Sequence, residues 1–456
     1  MKQSRALAGL IAVSSLVAAC GASSDSASTV SSAPATTASP ADESTGVRPS
    51  EPFVVGETVR LDLPRADVEA TDADIAAVVH GDRALGLDLL RVAAGDENMM
   101  VSPYSIATAL SMLYAGARGQ TAAEIAAVLN LRIDDETLHE VRNSIDSALA
   151  SPAPPQGEDD TREPFAISPA NSAWGQGGYP FLDDYLEVLA THYGAGLHLL
   201  DFNTDPVGSA EVINNWTEEA TEGRIQDLVP PDVIDQLTRL VLVNAIWFKA
   251  NWAEQFDPEA TSEGSFTQLD GSQTTVPLMH TSIRTGYTEN SLFQAVRLPY
   301  TGDAAMVIAL PRTGAPADLA ATLDPDALSI EWMDSLVELT LPRFEFESEI
   351  ALKQALQALG MRTAFIPPAT GADDEADLTG VTAIRELYVS EALHKTFVAV
   401  DEHGTEASAA TAIIIGVTSA PTPVTLTVDR PFLFWIEHTP TGEPLFLGQV
   451  TNPEAN

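Results

Sequence analysis

Residues 402–419 read EHGTEASAATAIIIGVTS and lie between two strand-like runs, TFVAV (Thr396–Val400) and VTLTV (Val424–Val428). The first half is made of small residues that suit a connection, whereas Ile413, Ile414 and Ile415 belong against a core face. From Thr405 onward, alternation places Thr405, Ala407, Ala409, Thr411, Ile413 and Ile415 on one face. Glu406, Ser408, Ala410, Ala412 and Ile414 fall on the other. The first face carries no charge and the stretch contains no proline, the two conditions a strand must meet to enter a sheet with one side buried. Glu402 and His403 mark the start, and Gly404, without a Cβ, supplies backbone freedom there. The stretch thus reads as a loop with the pattern of a strand. A small-residue loop with incidental alternation fits it equally, and the stretch alone does not separate the two.

The chain has 456 residues, 45% of them hydrophobic, enough for a sizeable core. Its formal net charge of −42 repels phosphate backbones, so nucleic acid is not an expected partner. The acidic residues are dispersed and read as a solvated surface. Near the start, Lys2 and Arg5 precede the apolar run ALAGLIAVSSLVAA, which is too short to span a bilayer and has the flanks of a signal peptide. It ends in LVAAC at Cys20, the sole cysteine, so no internal disulfide is available. This junction resembles a bacterial lipobox. The resemblance implies a signal peptide over 1–19, lipidation of Cys20, and anchoring outside the cytoplasm on the cell membrane, or secretion. The Ser/Ala/Thr/Pro-rich segment after Cys20 cannot bury enough apolar surface to order itself. Residues 20–65 are expected to be a tether and 66–456 the folded domain.

Within the domain, Ser102 and Pro103 open a helix whose apolar stripe is Ile106, Ala109, Leu110, Leu113 and Tyr114, with Gly116 at its end. Thr121 and Glu124 have the spacing of a capping box, and Leu352, Ala355, Leu356 and Leu359 form another stripe stopped by Gly360. Strand-like runs are LVLVNAIWF (Leu240–Phe248), AMVIAL (Ala305–Leu310), VELTL (Val337–Leu341), FLFWIE (Phe432–Glu437) and LFLGQV (Leu445–Val450). Early helices followed by strand-rich sequence predict an α+β fold. Ser151–Pro164 and Pro367–Asp377 are acidic, turn-rich surface loops. The second lacks the glycine turn and terminal glutamate of a calcium loop, so no metal is expected there.

Motifs for catalysis are missing. There is no Gly-x-Ser-x-Gly elbow, phosphate loop or His-Glu-x-x-His, and His139–Glu140 lacks the second histidine. Two polar residues stand out in apolar surroundings. Asn244 sits in LVLVNAIWF and His394 in ALHKTFVAV, and each must find hydrogen-bond partners if buried.

ENMMVSPYSIATALSMLYAGARGQTAAEI (Glu97–Ile125), INNWTEEATEGRIQDLV (Ile213–Val229), LTRLVLVNAIWFKANWAEQF (Leu237–Phe256), LPRFEFESEIALKQALQALGM, ALHKTFVAVDEHGTEASAAT and DRPFLFWIEHTPTGEPLFLGQVTNP occur in this order. Together they resemble the serpins, the serine protease inhibitors, from about Asp74 to Pro453; the tether and the acidic loop insertions fall outside. The resemblance implies a helical bundle with three β-sheets and an exposed reactive loop. It also implies a suicide mechanism in place of catalysis: a protease cleaves the loop, and the loop inserts into the main sheet with the enzyme still attached, a known case of strand addition.

Matched by motif, the resemblance makes Glu402, Gly404, Thr405, Glu406, Ala407, Ser408, Ala409, Ala410 and Thr411 the hinge. Ser102, Ser105, Asn244 and His394 become the shutter beneath the opening strands, and Trp252 the breach where the loop first enters. Family spacing puts the cleaved bond at Thr418–Ser419, with Val417–Thr418 and Ser419–Ala420 as alternatives. These small or β-branched residues imply an elastase-like or subtilisin-like extracellular serine protease rather than a trypsin-like one. No cofactor is implied. A monomer is expected, with loop-to-sheet polymerisation as its hazard. A non-inhibitory serpin acting as a surface binding protein is the alternative, although its usual mark, bulky, charged or proline residues in the hinge, is missing from GTEASAAT.

Overall fold

The structure, a computed structural model, describes residues 54–152, 165–230, 232–405 and 423–454. Among these residues the helices are α1 (Asp72–Ala93), α2 (Pro103–Gly116), α3 (Gly119–Val128), α4 (Asp135–Leu149), α5 (Asp183–Tyr193), α6 (Pro206–Ala220), α7 (Pro316–Thr322) and α8 (Leu352–Ala358). The first strands are β1 (Thr58–Val59), β2 (Met99–Val101), β3 (Ala166–Gln176), β4 (Leu197–Leu200) and β5 (Leu240–Asn251). Next come β6 (Ser262–Thr267), β7 (Gln273–Glu289), β8 (Phe293–Pro299), β9 (Ala304–Pro311), β10 (Met333–Pro342) and β11 (Phe344–Ile350). The last are β12 (Glu391–Val400), β13 (Gly404–Thr405), β14 (Val424–Thr427), β15 (Phe432–His438) and β16 (Glu443–Val450). The α+β expectation holds, and every strand-like run named above lies in a strand, save that Val428 falls one residue past the end of β14.

The first sheet has the order β1-β4-β3-β5-β13-β12-β11, with β5 also paired directly to β12. β5 is buried along almost its whole length, as a central strand covered on both faces must be. β11 alternates strictly, with Glu345, Glu347 and Glu349 outward, which keeps this edge soluble and unattractive to further strands. The second network runs β14-β10-β7-β8-β9-β15-β16-β2, with β6 also on β7. β7 has 17 residues; its body pairs with β10 and β6, and its end, from Tyr287, with β8. One long strand thereby fuses what the resemblance gave as two separate sheets.

α2 is apolar nearly all round and buried, so its end matters more than its face. Ser102 caps it through the Ser105 N–H, with Pro103 in the first turn, as its sequence predicts. The capping box predicted at Thr121 and Glu124 does not form. α3 begins two residues earlier, at Gly119. Glu124 instead accepts from the Arg362 and Thr363 N–H groups, and Thr121 Oγ1 accepts from the Asp377 N–H. These side chains stitch α3 to a segment some 240 residues away, a tertiary demand that overrode the local motif.

The folded unit also begins before residue 66. Thr58 and Val59 pair antiparallel with His198 and Leu197 of β4. Arg65 donates to Asn143 Oδ1 (2.5 Å) and to the His192 carbonyl (3.1 Å), and pairs with Asp146 (2.5 Å). Residues 54–65, assigned above to the tether, therefore belong to the domain.

Between the sheets, Phe344, Phe346, Phe432 and Phe434 pack ring against ring, all essentially buried. Phe434→Ala is expected to cost about 3–5 kcal/mol, through lost transfer energy and an unfilled cavity. The change should be read as a fall in the urea midpoint of unfolding.

Candidate functional site at the parting of the central sheet

β5 and β12 are parallel neighbours from Val241↔Glu391 to Ile246↔Thr396, where their direct ladder ends. Higher up, β13 sits between them: Gly404 faces Asn251 and Thr405 faces Ala250 on β5, while Thr405 faces Val400 on β12. The chain thus leaves β12, turns through residues 401–403 and re-enters the same sheet as a two-residue strand. The far end of the connection is β14, parallel to β10 at the edge of the second network. Glu406, Ala407, Ser408, Ala409, Ala410 and Thr411, the candidate bond at Val417, Thr418, Ser419 or Ala420, and Cys20 lie outside the described residues.

The turn is fastened at each step. Glu402 is 3% exposed. Its carboxylate accepts from Arg343 Nε (2.8 Å) and Nη2 (2.5 Å) and from the Thr261 hydroxyl. Burial works against its ionisation, but the Arg343 and Thr261 hydrogen bonds prevail and hold its pKa below the usual carboxylate range. Asp401 accepts the N–H groups of His403 (2.7 Å) and Gly404 (3.2 Å). Gly404 has φ +154°, and a Cβ there would collide with the Ala250 carbonyl, so only glycine fits. Trp252 donates its indole N–H to the Asp401 carbonyl (2.9 Å) and its backbone N–H to the His403 carbonyl (2.8 Å). It stacks on Tyr300 at 4.4 Å, and the Tyr300 hydroxyl is bonded to that of Thr405 (2.7 Å). Thr405, the first residue of the uncharged alternating face, is 1% exposed.

Just below the end of the direct ladder, polar residues form a row across the strands. Asn171 of β3 lies opposite Asn244 of β5, which lies opposite His394 of β12. Asn244 Nδ2 donates to Ser105 Oγ (2.8 Å) and Asn171 Oδ1 (2.9 Å), and Ser105 Oγ donates to the same Asn171 oxygen (2.5 Å). His394 Nδ1 donates to Asn244 Oδ1, and His394 Nε2 accepts the Ser102 backbone N–H (3.1 Å). The ring is therefore a neutral imidazole with its proton on Nδ1; a proton on Nε2 would face the Ser102 N–H. Burial pushes its pKa down to about 3, only partly opposed by its contact with Asn244.

The structure thus brings Ser102, Ser105, Asn244 and His394 into one network and sets Trp252 apart, against the turn. Asn171 was not anticipated. It sits in PANSAW, where small residues hide any strand alternation, and only its place opposite Asn244 reveals its role. Arg343, Tyr300 and Thr261 were missed for the same reason: their partners lie 59 to 141 residues away. Among the described residues, no group of three or more His, Cys, Asp or Glu is placed to hold a metal ion, and no helix is long and apolar enough to cross a membrane.

The family model for serpins (serine protease inhibitors) matches residues 81–453. A serpin-like protein of Thermococcus kodakarensis, TK1782, is 35% identical over 89% of this chain and 91% of its own. Human leukocyte elastase inhibitor is 33% identical over 78% of this chain and 93% of its own. Among solved structures, the native state of the thermophilic serpin tengpin superposes with a TM-score of 0.75 at 27% identity, covering 88% of this chain and all of that one.

A depressed histidine pKa contributes stability that is present above the unfolded value of 6.5 and is lost as pH falls toward the folded value of about 3. The melting temperature of the domain is expected to fall across that acid window. His394→Gln, which cannot titrate, should reduce the acid-side slope while lowering the melting temperature near neutrality.

Proposed function

The chain belongs to the serpin family, and on that premise we propose that it inhibits extracellular serine endopeptidases as a suicide substrate. The observation that carries this reading is Thr405 seated between β5 and β12. The sheet already holds the start of an additional strand, at the position and on the face from which Ala407, Ala409, Thr411, Ile413 and Ile415 would continue. Each of these is uncharged, so insertion exchanges exposed loop for buried strand without burying an unpaired charge.

In the proposed reaction the protease serine attacks the Thr418 carbonyl, the Ser419 amine departs with a proton, and the chain up to Thr418 remains esterified to the enzyme. Val417–Thr418 and Ser419–Ala420 are the neighbouring choices. The loop then zips between β5 and β12, which must give up their direct ladder from Ile246↔Thr396 downward. Glu402, Gly404 and Thr405 act as the hinge, with Glu406–Thr411 continuing it. Trp252 and Tyr300 hold the entry point, and Ser102, Ser105, Asn244 and His394, with Asn171, form the shutter that must re-bond around the arriving strand. The small residues at the candidate bond suit an elastase-like or subtilisin-like pocket. The similarity to leukocyte elastase inhibitor supports protease inhibition in general. Lipidation at Cys20, with residues 21–53 as spacer, would hold the inhibitor at the outer face of a bacterial membrane.

Incubation with elastase-like and subtilisin-like proteases is expected to give an adduct that survives denaturing electrophoresis, with mass spectrometry placing the cleaved bond within 416–421. Clean cleavage with protease activity retained would sink the proposal. Ala407→Arg places a charge on the first buried-face position beyond Thr405. It should shift the products from adduct toward cleaved inhibitor by at least tenfold, with the rate of initial cleavage unchanged.

A further inference from the structure

Where α1, α4 and β16 come together, three ionisable side chains meet in a buried junction. Asp82 of α1 and Arg142 of α4 are buried, at 0% and 2% side-chain exposure. Arg142 Nη2 donates to Asp82 Oδ1 (2.6 Å) and Nη1 to Oδ2, while Nε donates to Ser111 Oγ (3.2 Å). This bidentate pair is complete in itself. Glu443, the first residue of β16, is fully buried beside it, within hydrogen-bonding reach of Asp82, and neither of its carboxyl oxygens receives a hydrogen bond.

Among the described residues, no hydrogen bond or ion pair links Glu443 to the cations around the junction. Arg142 faces Asp82. Arg83 of α1 donates to the Gly442 carbonyl (2.8 Å), and Arg297 of β8 pairs with Glu437 of β15 (3.0 Å). Asp326 pairs with His80 of α1, His438 is bonded to Thr441, and Tyr104 of α2 donates to Asp146 of α4. An ionised carboxylate is an acceptor only. Two ionised carboxylates in a dry site repel and leave lone pairs unmet, whereas one proton between them supplies the missing donor.

We propose that Glu443 is held as a neutral carboxylic acid that donates its proton to Asp82, so that Asp82, Arg142 and Glu443 form one proton-holding junction pinning α1 and α4 to the C-terminal hairpin. In this state the three groups sum to zero charge, and the two Asp82 oxygens accept from Arg142 on one side and Glu443 on the other. Loss of the proton leaves a second negative charge facing Asp82 and loosens the junction. The direction of the Glu443 pKa agrees: burial first, and Asp82 second, push it well above the usual carboxylate range. A raised carboxyl pKa gives stability that is complete below the ordinary value of about 4.5 and is lost as pH rises through the folded value. The junction is thus a lock that weakens as pH rises.

The test uses the full chain. Infrared spectra at neutral pH should contain a carboxylic-acid C=O stretch that disappears in Glu443→Gln. On raising the pH from about 4.5 upward, the melting temperature of the unaltered protein should fall at least twice as steeply, relative to its value at that pH, as that of Glu443→Gln. A spectrum in which the variant changes no such band, or equal slopes across this rise in pH, overturns the proposal. If Glu443→Gln does not fold, Asp82→Asn replaces it. With Asp82 neutral, Glu443 ionises against Arg142 and the band should be lost; its retention overturns the proposal.

Discussion

The central sheet depends on a single neutral imidazole. His394 accepts the Ser102 N–H and donates to Asn244, so it joins the start of α2 to β12 and β5 at once. Asn244 extends the connection to Ser105 and to Asn171 on β3. No charge is buried, and the side-chain donors of Ser102, Ser105, Asn244 and His394 each have an acceptor, the condition under which a buried polar network specifies one arrangement rather than penalising it. The row sits near the top of the direct β5–β12 ladder, whose last pair is Ile246↔Thr396. A polar row at that level closes the sheet below while being built of bonds that can be exchanged. An apolar row would have to be pulled from contact with nothing to replace it.

Above the row, the constraint is the turn. Glu402 is anchored by Arg343 and Thr261, and Asp401 by its own turn and by Trp252, so the chain has little choice in where it re-enters the sheet. Gly404 passes so close to Ala250 that no side chain fits, and Thr405 finishes its polar obligations with Tyr300. Starting a strand normally costs ordering entropy before any ladder bond repays it. Here that start is already made in the native state. On the proposed mechanism, extending the strand past Thr405 would draw on the alternation read from the sequence and on the separation of β5 from β12.

Much of this was legible because it is local. Ser102-Pro103 announces a helix start, and the runs at Leu240 and Phe432 buried strands. The resemblance carried Asn244, His394 and Ser105 to one place, and the structure brings them there. The features that sequence did not reveal are tertiary in origin. Thr121 and Glu124 have capping-box spacing, but Thr363 and Asp377 claim their side chains. Asn171 lies in a run of small residues with no strand pattern of its own. β7 contains Pro277, His280 and Arg284, which break any simple alternation, and its apolar positions become a face only when β6, β10 and β8 are beside it. The burial of Thr405 depends on Tyr300, 105 residues earlier.

The two buried polar clusters obey opposite proton logic. At His394 the folded state requires a lone pair on Nε2, because a backbone N–H points at it; adding a proton is what harms the fold. At Glu443 no hydrogen-bond donor reaches the carboxyl and a second carboxylate faces it; removing a proton is what harms the fold. The first cluster ties the strands that would have to part, and the second pins the helices and the C-terminal hairpin. A chain with so large an acidic excess gains little from specific charge pairs at its surface, where screening weakens them. Its sensitivity to pH is therefore expected where water is excluded: on the acid side at His394, and with rising pH at the proposed Glu443 junction.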